Sequence, residues 1–385
     1  MTEPTIYLDH NATTPVLAEV LDAMLPYFRE HFGNPSSAHA LGRRAREAVE
    51  GSRAEVASLL ECAPSEIVFT SGGTEASNLA IRGIAEARSD RRHVVTSAIE
   101  HPGTEKPCAW LEEHGWRVSR AGVDSGGRVR VEEVRAAAGA DTALVTIIHA
   151  NGETGVVQPT PEIAEAAHSV GAIVHCDAAQ SMGKIPVRVN ELGVDLLSLA
   201  GHKLYAPKGV GALFVRHGTP LIPFARGGGH ERGLRPGTEN VAAIVGLGVA
   251  CRRAKDDLGT EAERVRRLRD RLWELLATNV PGIQVNGSAQ PRLPNTLNVR
   301  FPDVVGSRLL AAAPEVAAST GSACHAGQEQ ASAVILAMGI SSAEAVGSVR
   351  LTLGRHTTLE EVDKAAESLA RAWRACRHSP PSGDS

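Results

Sequence analysis

The sequence predicts an α/β fold, on three observations. Short apolar runs alternate with amphipathic stretches of helix length through the first two-thirds of the chain; the runs are apolar throughout instead of every second residue; and the rhythm changes near residue 240. Strands that are apolar on both faces belong to a parallel or mostly parallel sheet with helices covering each side. That is α/β architecture.

The elements follow in order. Glu66–Thr70 (EIVFT) reads as a strand, with a helix from about Glu75. His93–Ser97 and Thr142–His149 are further strands. Pro161–Val170 reads as helix, and Ala172–Cys176, Val194–Ala200 and Gly211–Val215 complete the strand series. A long, charged, amphipathic stretch, Val241–Asn279, predicts one continuous helix. Short strands at Ile283–Val285 and Thr296–Phe301 come next, then helix, strand and a last helix over Glu360–Arg374. That second pattern suits a smaller α+β domain. A chain of 385 residues, 43% of them hydrophobic, also exceeds what one core usually holds. The expected division is a large domain over 15–255, a small domain from 1–14 with 256–378, and a disordered tail over 379–385.

Composition narrows the function. A formal net charge of −4 gives no reason to expect nucleic acid or an anionic membrane as a direct partner. No apolar run approaches the roughly 20 residues that span a bilayer. Met1–Tyr7 lacks the basic and apolar regions of a signal peptide, so the cytoplasm is the expected location. Cys62, Cys108, Cys176, Cys251, Cys324 and Cys376 are scattered without a CxxC pair, as reduced cysteines in a large cytosolic chain would be. Five read as small buried hydrophobes. Cys324 differs, because it lies in the small-residue stretch Ser319-Thr320-Gly321-Ser322-Ala323-Cys324-His325-Ala326-Gly327.

Three segments carry chemistry. Ser71-Gly72-Gly73-Thr74-Glu75 follows a strand and opens a helix. Its glycines admit a close ligand, and the free N–H groups of a helix start attract phosphate. An ordinary capped strand-to-helix turn would look the same. It is not a Walker motif, because no Gly-Lys-Ser/Thr follows. His175-Cys176-Asp177-Ala178-Ala179-Gln180 ends a strand, where open α/β sheets bind ligands. A carboxylate there can keep a pyridine nitrogen protonated and so make the ring an electron sink. A metal site fits poorly, since neighbours on a strand point to opposite faces. Gly201-His202-Lys203-Leu204-Tyr205 follows another buried strand, and a lysine so placed can form a Schiff base.

The ordered series SGGTE, EH, NGETG, HCDAAQ, GHK, RPGTEN, GSAC and VRLTLGR closely resembles the cysteine desulfurases, together with the related selenocysteine lyases. These are fold-type-I enzymes of the class V aminotransferase family that depend on pyridoxal 5'-phosphate. The resemblance runs from Tyr7-Leu8-Asp9 to about residue 370. It implies a large domain with a mostly parallel seven-stranded sheet, a smaller α+β domain and a homodimer. It makes Lys203 the Schiff-base lysine, Asp177 the partner of the pyridine nitrogen and Gln180 the partner of the ring's phenolic oxygen. His101 would stack on the ring and assist proton transfer. Gly73, Thr74 and His202 would hold the phosphate, and Thr238 would reach the phosphate of the other subunit's cofactor. Arg350 would bind the substrate carboxylate, with Asn151 on the substrate side of the site. Cys324 matches the nucleophile that takes sulfur from L-cysteine as a persulfide, releases L-alanine and passes the sulfur to an acceptor protein for iron–sulfur clusters, tRNA thiolation or a sulfur metabolite.

Gly152 departs from the pattern, since relatives commonly carry a second asparagine there that contacts the cofactor or substrate. Gly227–Arg232 and Ser322–His325 resemble selenocysteine lyases as well, so thiol and selenol both stand as leaving groups. A non-catalytic sulfur-assembly scaffold is a third reading, opposed by the intact set Lys203, Asp177, His101, Cys324 and Arg350.

Overall fold

A computed structural model describes residues 5–287, 291–321 and 331–378. The chain opens with a short strand, β1 (Ile6–Tyr7). The main sheet then follows in sequence as β2 (Ile67–Thr70), β3 (His93–Ser97), β4 (Arg117–Ala121), β5 (Thr142–Ile148), β6 (Ile173–Asp177), β7 (Leu196–Ala200) and β8 (Gly211–Val215). Its spatial order is β2-β8-β7-β6-β5-β3-β4, with only β8 antiparallel to its neighbours. The predicted strands form within a residue or two of their expected ends. β4 is the strand that periodicity did not announce. Its residues are mostly exposed or half-buried, and Arg117 and Arg120 suit a sheet edge, where charge discourages pairing with other chains.

Both sheet faces are covered, as all-apolar strands require. The helix Gly73–Ala87 lays Ala76, Leu79, Ala80, Ile81 and Ile84 on one face, against Val68, Val94, Leu144, Leu196 and Leu213. The other face packs Ile67, Phe69, Val145, Val174, Leu197 and Phe214 into the largest core, with Val56 and Leu60 from the helix Ala40–Leu60.

Val241–Asn279 is a single helix, as predicted, and the Asn240 side chain caps it by accepting from the Ala243 N–H. Ala242–Ala254 belongs to the main core, while Val265, Leu268, Leu272 and Leu276 join a second one. That second core also holds β10 (Thr296–Arg300) and β12 (Ser348–Thr352), which with β9 (Gln284–Val285) form a sheet in the order β12-β10-β9. The last helix, Leu359–His378, runs beyond the predicted Arg374 and packs there too. β1 pairs in parallel with β11 (Val316–Ala317), which ties the N-terminus to this second unit. Val334, Ile335 and Met338 pack back into the main core. Among the described residues no helix is long and apolar enough to cross a membrane. Cys62, Cys108, Cys176, Cys251 and Cys376 are free, and Cys108, Cys176 and Cys251 are buried as expected.

Candidate active site

The chemistry-bearing residues meet at the carboxyl ends of β2, β3, β6 and β7. After β2 the chain turns at Gly72, whose φ of 154° is open to glycine, and the helix begins at Gly73. A Cβ on Gly73 would come within 3.3 Å of Ala200 Cβ at the end of β7, so the bare backbone lets the helix start sit close to the lysine turn. Glu75 accepts from the Ser71 N–H, and Thr74 stays exposed at the mouth of the helix start. His101, after β3, caps the next helix with Nδ1 accepting from the Gly103 N–H at 2.9 Å. With Nδ1 so used, Nε2 is the free, titrating end, and burial lowers the ring's pKa against the pull of Asp177.

Asp177 ends β6 and is 5% exposed. Its Oδ1 accepts from the Ala179 N–H at 3.0 Å, while Oδ2 has only a long 3.5 Å contact from Thr104 Oγ1. Burial raises its pKa, with His101 and Lys203 opposing, as expected for a carboxylate still short of a cation. Glu100 lies beside it, half-buried with its Oε2 enclosed, and desolvation pushes its carboxyl up to about 8, so near neutral pH it stays protonated and adds no rival charge.

Lys203 ends a short turn, Gly201–Lys203, directly after β7. Its amine donates to the Asn11 carbonyl at 2.5 Å and the Ala12 carbonyl at 2.8 Å. Burial, then the charge of Arg350, brings its pKa down to about 8. His202 is turned by a 3.1 Å bond between its Nδ1 and Thr13 Oγ1, and burial and Lys203 push it down to about 4.

Arg350 projects from β12. One terminal nitrogen donates to Asp9 Oδ1 at 2.7 Å and the other to the Gly152 carbonyl at 3.3 Å. Its Nε is buried and has no hydrogen-bond partner among the described residues. The backbone of Arg350 also bonds Ser319, with Arg350 N–H donating to the Ser319 carbonyl at 2.7 Å. Cys324 lies outside the described residues. On the near sides of that gap, Ser332 Oγ donates to Glu153 Oε2 at 2.6 Å, and burial raises Glu153 to about 7.

Asn151, expected on the substrate side, is placed otherwise. It is 2% exposed; its Nδ2 donates to the Ile99 carbonyl, and its Oδ1 accepts from the Glu153 and Thr154 N–H groups. It builds the turn that presents the Gly152 carbonyl to Arg350. Thr238 is exposed on the glycine-rich loop. That loop is held by a buried pair: Arg53 donates to Glu231 at 2.7 and 2.8 Å, and the Phe69 N–H also bonds Glu231.

Sequence reasoning missed Asn11 and Lys184. Asn11 is 1% exposed and joins both units: its Nδ2 donates to the Gly152 carbonyl and Thr296 Oγ1, and its Oδ1 accepts from Asn295 Nδ2 and Lys184 Nζ. Its carbonyl receives both Lys203 and Gln180 Nε2. The only signal was a polar run, Asp9-His10-Asn11, directly after an apolar strand.

A basic amine, a strand-end carboxylate and a helix N-terminus converging at the carboxyl edge of a mostly parallel sheet define a site for a pyridine-ring cofactor that carries a phosphate. The family model described as aminotransferase class-V matches residues 6–365, and the chain belongs to that family. It is similar to a protein named cysteine desulfurase IscS from Anaeromyxobacter sp. (strain Fw109-5), at 48% identity over 98% of this chain and 94% of that one. It is similar to a solved NifS-like protein, at a TM-score of 0.91 and 36% identity over 96% of this chain and 100% of that one. A structure titled SspA in complex with cysteine matches at a TM-score of 0.82 and 37% identity, over 91% and 99%.

The family's cofactor is pyridoxal phosphate, and the residues present fit it. Asp177 Oδ2 has bonding capacity to spare, the Gly73 helix start offers free N–H groups, and the Lys203 amine is depressed toward its nucleophilic form. Among the described residues no cluster of three histidines, cysteines or carboxylates is arranged to hold a metal ion.

Proposed function

We propose that this chain is a pyridoxal-phosphate-dependent cysteine desulfurase, an enzyme that converts L-cysteine to L-alanine and takes the sulfur on Cys324. The observation that carries this reading is Lys203, half-buried just past a strand end with Arg350 and Asp177 acting on it, in a chain of the class-V family. Bound pyridoxal phosphate supplies an electron sink for charge developing at the substrate's α-carbon.

The chain's own residues do the rest. Lys203 would hold the cofactor, and its freed amine would take and return the α-proton. Asp177 keeps the ring nitrogen protonated. His101 has its Nε2 free to relay a proton. Gly73, Thr74 and His202 receive the phosphate. Arg350, held in place by Asp9 and the Gly152 carbonyl, receives the substrate carboxylate. At Cys324 the thiolate forms a bond to the substrate sulfur as the carbon–sulfur bond breaks. The carbon takes a proton and leaves as alanine, while the sulfur stays as a Cys324 persulfide, its oxidation balanced by the reduction at carbon.

The same reading makes the protein a cytoplasmic homodimer. Thr238 is exposed on a loop clamped by Arg53 and Glu231, which suits a residue that completes the partner's phosphate site. The large domain spans 15–255, and 1–14 with 256–378 forms the small one. The persulfide passes to a sulfur-acceptor protein, and the relatives named IscS favour iron–sulfur cluster assembly as its destination. Purified protein supplied with L-cysteine and a thiol reductant should release alanine and sulfide in equal amounts, and Lys203→Ala should release neither. A cofactor-loaded wild type that yields no alanine would refute this function.

A further inference from the structure

Lys184 is a half-buried lysine with no part in the mechanism above, and its amine is turned inward onto two side-chain oxygens. It ends the turn that follows β6, four residues beyond Gln180. Its amine donates to Asn11 Oδ1 at 2.9 Å and to Gln180 Oε1 at 3.1 Å. On the other side of the same amide, Gln180 Nε2 donates to the Asn11 carbonyl at 3.0 Å, the acceptor that also takes the Lys203 amine.

We propose that Lys184 is a positioning residue of the cofactor site: it binds the oxygen of the Gln180 amide and so turns the amide nitrogen toward Lys203 and the bound cofactor. The proposal rests on the cofactor reading above.

A glutamine amide presents a donor end and an acceptor end that are nearly equal in size. Left alone in a pocket it can face either way. A lysine ammonium only donates, and a neutral lysine amine has two hydrogens, both used here by side-chain oxygens. A flipped amide loses the bond from the ammonium, and in either state of the amine it turns Oε1 against the Asn11 carbonyl that now accepts from Nε2 at 3.0 Å. Burial, and then the charge of Lys203, lowers its pKa well below the lysine range, so the contact does not require a full charge beside Lys203. A cofactor ring carrying a phenolic oxygen needs a donor from Gln180. A flipped amide would present a second oxygen instead, and the two would repel. Lys184 thereby acts on the cofactor through Gln180, and Asn11 holds both.

The test uses full-length protein stripped of cofactor and titrated with pyridoxal 5'-phosphate, in wild type, Lys184→Met, Gln180→Met and the double variant. Methionine keeps most of the buried volume and removes the donor. Loss of one orienting hydrogen bond is expected to weaken cofactor affinity by about three- to tenfold in each single variant, with a shifted visible absorption maximum of the bound cofactor. The double variant should be no weaker than Gln180→Met alone, because Lys184 has nothing left to orient. A purely structural lysine would give effects that multiply and an unmoved absorption maximum, and that outcome overturns the proposal. If Lys184→Met does not fold, a crystal structure of cofactor-loaded wild type decides: the proposal requires Lys184 Nζ on Gln180 Oε1, and a Lys184 turned away from Gln180 overturns it. Wild type that binds no cofactor at all would instead overturn the function proposed above.

Discussion

Gly152 is the place where a single added atom reports on the geometry of the site. A Cβ built there lies 3.0 Å from Gln180 Nε2, 3.3 Å from its Cγ and 3.4 Å from its Cδ. Those distances are a few tenths of an ångström too short, so the Gln180 side chain must give. It is pinned at both ends, by Lys184 on Oε1 at 3.1 Å and by the Asn11 carbonyl on Nε2 at 3.0 Å. The backbone of Gly152 is outside the left-handed region, so Gly152→Ala adds no conformational strain. The cost is therefore about one hydrogen bond stretched or lost, roughly 0.5–1.5 kcal/mol, or about two- to tenfold in affinity. Gly152→Asn meets the same Cβ contact but can return a polar contact to the site, so its apparent cysteine affinity should change by about tenfold or less. Equilibrium titration of cofactor-free Gly152→Ala with pyridoxal phosphate, with the apparent KM for cysteine measured beside it, reads both effects. Cofactor affinity and KM equal to wild type in both variants would refute the reasoning, since Gln180 would then be free to move.

Two further outcomes follow from the same structure. Glu231→Ala leaves Arg53 with the Ile67 carbonyl and, as a carboxylate partner, the exposed Glu50, and strips the Phe69 N–H of its acceptor. Breaking a buried pair from one side costs about 3–5 kcal/mol, and urea unfolding that shows under about 1 kcal/mol would remove the clamp from the account of the glycine-rich loop. The Lys203 amine, with a pKa lowered to about 8, is mostly protonated at pH 7 and mostly neutral at pH 9. The rate at which cofactor-free protein attaches pyridoxal phosphate should therefore rise about tenfold over that range and level off, whereas a rate still climbing about tenfold per unit above pH 9 would mean an unperturbed lysine.

Much of the site was legible because it sits where strands end. Asp177 ends one buried strand and Lys203 closely follows another, and a charge in that position has few purposes except to meet a ligand. The helix start at Gly73 was readable from paired glycines after a strand, and the span of the 39-residue helix Val241–Asn279 from its amphipathic period. β4 was missed because an edge strand is half solvated and carries arginines, which leaves no apolar run to find. Asn151 was misplaced because a side chain that closes a turn and one that touches substrate have the same appearance in sequence. Asn11 and Lys184 were invisible for another reason: 173 residues separate them, and their roles exist only once the N-terminal strap crosses between the two cores. Long-range polar hubs of this kind have no periodicity.

The central claim is that Cys324 takes sulfur from cysteine at a pyridoxal phosphate site. The measurement that tests it most directly is alanine release by wild type and Cys324→Ala, each given L-cysteine and L-selenocysteine. Wild type should turn over cysteine. Cys324→Ala should still bind the cofactor, because Lys203, Asp177 and Thr74 are untouched, yet release almost no alanine from cysteine and carry no persulfide; some alanine from selenocysteine is compatible, since selenolate leaves without a thiol's help. Cysteine turnover near the wild-type rate in Cys324→Ala would remove Cys324 from the mechanism, and a wild type that barely uses cysteine but turns over selenocysteine would make the enzyme a lyase instead.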